Sequence, residues 1–319
     1  MSDNNGDLMN VNFNSITGEM LKVISGYDPE TGFKGAYNIR EDSSCAGRQS
    51  SENITINSKT DKPGIDIIIK PHTKGETVFI PACVTHTAID DLVYNDFYVG
   101  EGADVVIVAG CGVHNEGEEE ARHNGIHRFF LEPNSRVVYK EKHIGTGNGA
   151  GLKKIDPVTE CFMKENSYLE MDTVQLGGVD KSTRTTSAEL GDNAKIVVRE
   201  RIMTDNAEEA VSKFHVKLNG ADSGVDLVSR SVARGNSYQA FYSAVDGNNR
   251  CTGHSACDAI IAENGRVDAQ PALNAANVDA ALIHEAAIGK IAGEQILKLC
   301  SLGLTREEAE EKIIGGFLK

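Results

Sequence analysis

The chain has 319 residues, 40% of them hydrophobic, with 47 acids against 32 bases and a formal net charge of −15. That is enough apolar material for a sizeable core, and the acidic balance excludes nucleic acid and anionic membrane surfaces as expected partners. No apolar run approaches the about 20 residues that span a bilayer, and the polar, acidic Met1–Asn14 stretch does not read as a secretory signal, so the expected location is the cytoplasm.

Residues 1–60 are polar and irregular. A helix is expected across Ser15–Ile24, where Ile16, Met20, Leu21 and Ile24 recur at helical spacing. A stretch rich in Gly, Asp, Ser and Asn follows, including Glu41–Asp42–Ser43–Ser44 and Gln49–Ser50–Ser51–Glu52–Asn53.

From 61 to 288 short β-branched and aliphatic runs alternate with polar turns of one form. Glu101–Gly102–Ala103–Asp104, Glu132–Pro133–Asn134–Ser135, Glu165–Asn166–Ser167–Tyr168, Asp192–Asn193–Ala194–Lys195 and Glu263–Asn264–Gly265–Arg266 share it, with a shorter copy at Arg234–Gly235–Asn236–Ser237. Equivalent positions are 32 (102 to 134), 32 (134 to 166), 27 (166 to 193) and 28 (236 to 264) residues apart. Each unit reads as several short strands without a helix. A loose repeat of strands alone predicts stacked coils, a parallel β-helix. Asn and Asp suit its corners because they tolerate left-handed backbone. In one strand Ala194, Ile196, Val198 and Ile202 keep one parity, with Lys195, Arg199 and Arg201 on the other. Tyr238, Ala240, Tyr242 and Ala244 are expected inside in the same way. An antiparallel sandwich is the rival, but it usually shows more two-residue hairpin turns.

Residues 289–319 change period again. Ile291, Ile296, Leu299 and Cys300 are helically spaced before Gly303, a placed stop. Thr305 with Glu308 is a capping box opening a second helix, with Ala309, Ile313, Phe317 and Leu318 on its apolar side.

The seven cysteines include no C-x-x-C pair and are odd in number, which argues against a disulfide framework or a ready four-thiolate site. Taken singly, each reads as a buried small hydrophobe. The informative pair of segments is Cys251-Thr-Gly-His254-Ser-Ala-Cys257 and Leu282-Ile-His284-Glu285. Cys257 and Glu285 are 28 apart, inside the repeat spacing. Stacked coils place such residues about 4.8 Å apart, so Cys257 is expected beside His284 and Glu285. A thiolate, an imidazole and a carboxylate together make a ligand set for iron. Neighbours in a straight strand point oppositely, so His284 and Glu285 serve one site only at a bend, an edge or a subunit interface. Otherwise His284 is a hydrogen-bonded core residue and Glu285 a surface charge.

A second constellation is Cys111, His114, His123, His127 and His143, where Cys111-x2-His114 and His123-x3-His127 have zinc-like spacing. Stacked strand residues and turn contacts are the simpler account, because nothing in the sequence fixes these side chains on one face. Gly145-Thr-Gly-Asn-Gly-Ala-Gly lacks the Gly-Lys-Ser/Thr of a phosphate loop and reads as an ordinary loop.

The stretch from Ser255 to Phe317, with Cys257–Asp258, His284–Glu285–Ala286, Gly289–Lys290–Ile291 and Gly315–Gly316–Phe317, resembles the C-terminal signature of SufB/SufD proteins. The short N-terminal region is similar to minimal, archaeal-type members. The resemblance implies an all-β core: a right-handed parallel β-helix with a short N-terminal region and two C-terminal helices. It implies a scaffold on which a transient Fe–S cluster of iron and sulfide forms at a dimer interface, and not an enzyme acting alone. The implied partners are a SufC-like ABC ATPase, docked on the C-terminal helices, and either a second copy (a homodimer) or a paralogous SufB/SufD subunit. Cys257, His284 and Glu285 match the family's cysteine and His-Glu pair. Ile283 stands where SufB commonly has another acid. Two other readings remain: a SufD-like structural subunit, which would not need Cys257, and a β-helix polysaccharide lyase or hydrolase, which the absence of Trp disfavours.

Overall fold

A computed structural model describes residues 11–319, so most of the Met1–Asn14 stretch lies outside the described residues. The chain is a β-solenoid of about 8 turns. Helix α1 (Ser15–Ser25) leads into β1 (Ala36–Glu41), β2 (Ser44–Gln49), β3 (Ile54–Ser58), β4 (Gly64–Ile69), β5 (Lys74–Val84) and β6 (Asp90–Val99). The central coils hold β7 (Asp104–His114), β8 (Ala121–Leu131), β9 (Arg136–Thr146), β10 (Lys153–Ile155), β11 (Val158–Met163), β12 (Tyr168–Leu176), β13 (Lys181–Leu190) and β14 (Lys195–Thr204). The last coils hold β15 (Glu209–Leu218), β16 (Ser223–Ala233), β17 (Tyr238–Gly247), β18 (Cys251–Ile261), β19 (Arg266–Ala275) and β20 (Ala280–Gly289), followed by α2 (Gly293–Cys300) and α3 (Arg306–Phe317).

Two sheets face each other. One runs β2-β1-β5-β7-β9-β12-β14-β16-β18-β20, the other β19-β17-β15-β13-β10-β8-β6-β4-β3, with β11 also lying between β8 and β13. Pairing is parallel except for β1 with β2 and β3 with β4. Each coil therefore carries two long strands rather than several short ones, and the residues before 61 already hold strands. Glu41–Asp42–Ser43–Ser44, expected as irregular, is the β1–β2 hairpin, with Asp42 and Ser43 both at positive φ.

The turn repeat is real but belongs to two corners. Gly102, Asn134, Asn166 and Asn193 adopt left-handed backbone where the chain passes from the second sheet to the first. Gly235 and Glu263 do so at the opposite corner. Inward-facing Ile, Val, Leu and Phe side chains stack coil on coil, as in Ile107, Tyr139, Met171, Val198 and Leu227. Each such burial stabilises by about 1.5–3 kcal/mol. The β14 pattern holds, with Ala194, Ile196, Val198 and Ile202 buried. In β17 the expected parity is reversed: Gln239, Phe241, Ser243 and Val245 face in. Tyr238 instead sits outside, bonded to Asp268 and under Arg266. The strand carries apolar residues at both parities, and the polar strip inside accepts Gln239 and Ser243.

Helix α1 is capped by Asn14, whose side chain accepts from Thr17 N, and stopped by left-handed Gly26. Its Met20, Leu21 and Ile24 bury against the first sheet. At Gly110, on the outer face of β7, a Cβ would stand 2.7 Å from Ile24 Cβ, so only glycine permits this close seat. The C-terminal capping box is present, Thr305 Oγ1 accepting from Glu308 N and Glu308 accepting from Thr305 N. Helix α2 begins at Gly293, leaving Ile291 outside it. The Gly145–Gly151 loop is an ordinary loop, lying on the preceding coil's loop through Gly149 N–H to Asn115 O.

Candidate functional site

The two parities of β18 and β20 decide where the candidate ligands go. Inward positions are Cys251, Gly253, Ser255 and Cys257 on β18. Ser255 pairs with His284, Ala256 with Glu285 and Cys257 with Ala286. The step between these coils is thus 29 residues, one more than the 28 separating Cys257 from Glu285, and one residue moves a side chain to the other face. Cys257 and His284 share the interior. Glu285 points outward, its Oε2 3.7 Å from His254 Nε2. His254 in turn meets Asp226 at 2.8 Å, and Asp226 is paired with Arg199.

Cys257 is 1% exposed. Burial, then the charges of Glu200 and Asp258, pushes its thiol up to about 12, so in the isolated chain it is a neutral thiol. His284 is half-buried and its Nδ1 is buried without a hydrogen-bond partner. Among the described residues, the coil of β19 and β20 is the last one stacked beyond Cys257. Those strands end their sheets, and Leu273, Val278, Ile283 and Ile288 are exposed on them or on the turn between. An unpaired sheet edge with exposed apolar side chains invites a further strand or subunit.

Deeper in the solenoid the interior is polar along one side, which sequence reading missed. Glu141, Thr173, Glu200, Ser229 and Cys257 occupy one inward ladder of successive coils. Glu200 accepts from Ser212 at 2.7 Å and Ser229 at 2.8 Å. Arg184, from the opposite sheet, donates to Glu141 at 2.6 Å and stands 3.6 Å from Glu200. Tyr139 donates to Glu141 at 2.9 Å and contacts His127 Nδ1 at 2.8 Å. Burial pushes the Glu141 carboxyl up, but Arg184 and His143 outweigh it and hold the group well below the ordinary range. At the N-terminal end Asp91 binds Arg40 and, at 3.0 Å, His123. There too burial is outweighed, by His123 and Arg40, and the carboxyl is held low. The missed signal is an acid at the apolar parity: Glu200 between Val198 and Ile202, and Glu141 between Tyr139 and His143.

Of the second constellation, Cys111, His123, His127 and His143 face the interior, but His114 does not. Three residues apart on a strand means opposite faces, and His114 sits outside near Thr146 and Glu116.

The family described as "SUF system FeS cluster assembly, SufBD core domain" matches residues 94–317. The chain belongs to the SufBD family. An "Iron-sulfur cluster assembly SufBD family protein" of Archaeoglobus fulgidus is 28% identical over 249 residues, 77% of this chain and 66% of its own. One of Methanothermobacter thermautotrophicus is 27% identical over 70% of this chain and 54% of its own. One of Methanocaldococcus jannaschii is 25% identical over 89% of this chain and 90% of its own. The first two are longer, and the chain spans roughly half to two-thirds of their length. Membership in the SufBD family places the chain in Fe–S cluster assembly. No helix among the described residues is long and apolar enough to cross a membrane.

Proposed function

We propose that this SufBD protein is a scaffold subunit on which a nascent Fe–S cluster is built at a subunit interface formed by the open last coil. The cluster is cargo, held by Cys257 and His284, with Glu285 reaching it from the outer face of the edge strand or from a partner copy. One observation carries the reading: the buried thiol and the unpartnered imidazole lie on the interior of the final two coils, beneath an edge that no further strand among the described residues pairs with. A closed, neutral thiol cannot bind iron without exposure and deprotonation. The last coil therefore has to shift, and a SufC-like ABC ATPase supplies the work. The α2–α3 pair, with Leu297 and Leu302 exposed, is its docking element. The protein works in the cytoplasm as a homodimer or with a SufB/SufD paralogue, and not as an enzyme on its own. A SufD-like structural role is the second reading, and Cys257 argues against it.

The test is an edge substitution. Ile283→Lys, exposed on the outer face of β20, places a charge at the interface without touching the core. Sedimentation velocity should show a dimer for the parent and a monomer for the variant, with the reconstituted cluster lost along with the dimer. A monomeric variant that still carries a full cluster would contradict the interface placement.

A further inference from the structure

We infer that Cys111, Glu141 and His143 form a resident binding site for one divalent first-row transition ion of borderline softness, zinc or ferrous iron, inside the solenoid. Parallel pairing of β7 and β9 sets Cys111 directly against His143, and Glu141 lies two residues earlier on the same inward face. One donor atom from each lies within 4.8 Å of the others, and all three residues are buried. Thiolate, imidazole and carboxylate are zinc-type donors, and three protein ligands leave a fourth position open. Cys111 also borders a void of about 10 Å³ lined by His123 and His127, on the side away from Glu141 and His143, which do not line it. The all-oxygen preference of calcium and magnesium does not fit.

The network around the three residues is incomplete without a cation. Glu141 is satisfied by Tyr139 and Arg184, but His143 Nε2, in a side chain 1% exposed, has no hydrogen-bond partner. It stands 3.3 Å from Glu141 Oε1 without hydrogen-bond geometry. Unsatisfied buried polar atoms are costly, and a bound ion removes this one. Charge points the same way. The buried strip holds three carboxylates, Asp91, Glu141 and Glu200, against two guanidinium groups, Arg40 and Arg184. A divalent cation bound with a Cys111 thiolate brings the sum to zero. Arg184 then gives up its 3.5 Å contact with His143 Nδ1 and keeps Glu141 and Glu200. Binding exchanges the Cys111 thiol proton for the metal, one proton leaving per ion, with no redox change. This inference does not depend on the scaffold reading, and Cys257 takes no part in it.

Cobalt(II) is the probe. Chelator-treated full-length protein, titrated anaerobically, should bind one equivalent, release one proton and show a thiolate-to-cobalt charge-transfer band. Cys111→Ala and His143→Ala should each abolish the band, and Cys257→Ala should keep it. Because a core variant can fail to fold, circular dichroism is recorded for each, and the parent alone should gain thermal stability on adding zinc. Absence of binding to the parent, a band that survives Cys111→Ala, or a band lost in folded Cys257→Ala would each overturn the site.

Discussion

Ser255 and His284 are cross-coil partners, and this single pairing puts His284 on the same interior face as Cys257 and sends Glu285 outward. It also closes Cys257 off. In the isolated chain Cys257 should therefore resist iodoacetamide at neutral pH, while Cys45, on the surface, is alkylated readily. Peptide mass mapping checks this, and fast native labelling of Cys257 would show that the last coil is already open.

The interior strip makes stability pH-dependent. Burial pushes His127 down from 6.5 to about 4. Between those values the unfolded chain takes up a proton that the folded one refuses. Stability contributed by the neutral imidazole is thus complete above about 6.5 and falls as pH drops toward about 4, by on the order of 3 kcal/mol. Urea melts of chelator-treated protein at several pH values should show this slope, and His127→Gln should flatten it.

Arg184 holds two buried carboxylates. Arg184→Met strands both and should cost about 3–5 kcal/mol. Adding Glu141→Gln and Glu200→Gln should recover part of the loss. Urea denaturation midpoints decide it, and a near-neutral single variant would mean the strip is more hydrated than its burial indicates.

Gly110 seats helix α1. A Cβ there meets Ile24 Cβ at 2.7 Å and Ile24 O at 2.9 Å, a backbone contact that cannot yield without moving the helix. Gly110→Ala should destabilise by about 1–3 kcal/mol and expose α1 to proteolysis. Gly289→Ala, with nothing near its added Cβ, should be neutral.

Much of the architecture was legible because it is local. The Thr305–Glu308 capping box, the Ser15 helix and the left-handed Asn134, Asn166 and Asn193 corners each depend on a few neighbouring residues. Register was not. Successive coils differ in length by single residues, and one residue inverts a face. Counting 28 from the opposite corner therefore paired Cys257 with Glu285, where the sheet pairs it with Ala286. The polar strip was missed for a related reason. Glu200 stands at an apolar parity, and only the stacked coils show that Arg184, Ser212 and Ser229 await it there. Likewise Tyr238–Ala244 carries apolar residues at both parities, and composition alone picks the wrong one.

The most direct measurement is anaerobic cluster reconstitution with the proposed SufC-like ATPase added, followed by visible absorption of the parent, Cys257→Ala and His284→Ala. A cluster chromophore in the parent that disappears in Cys257→Ala and weakens in His284→Ala is the predicted result. An equal chromophore in all three would contradict a cluster built at the last coil.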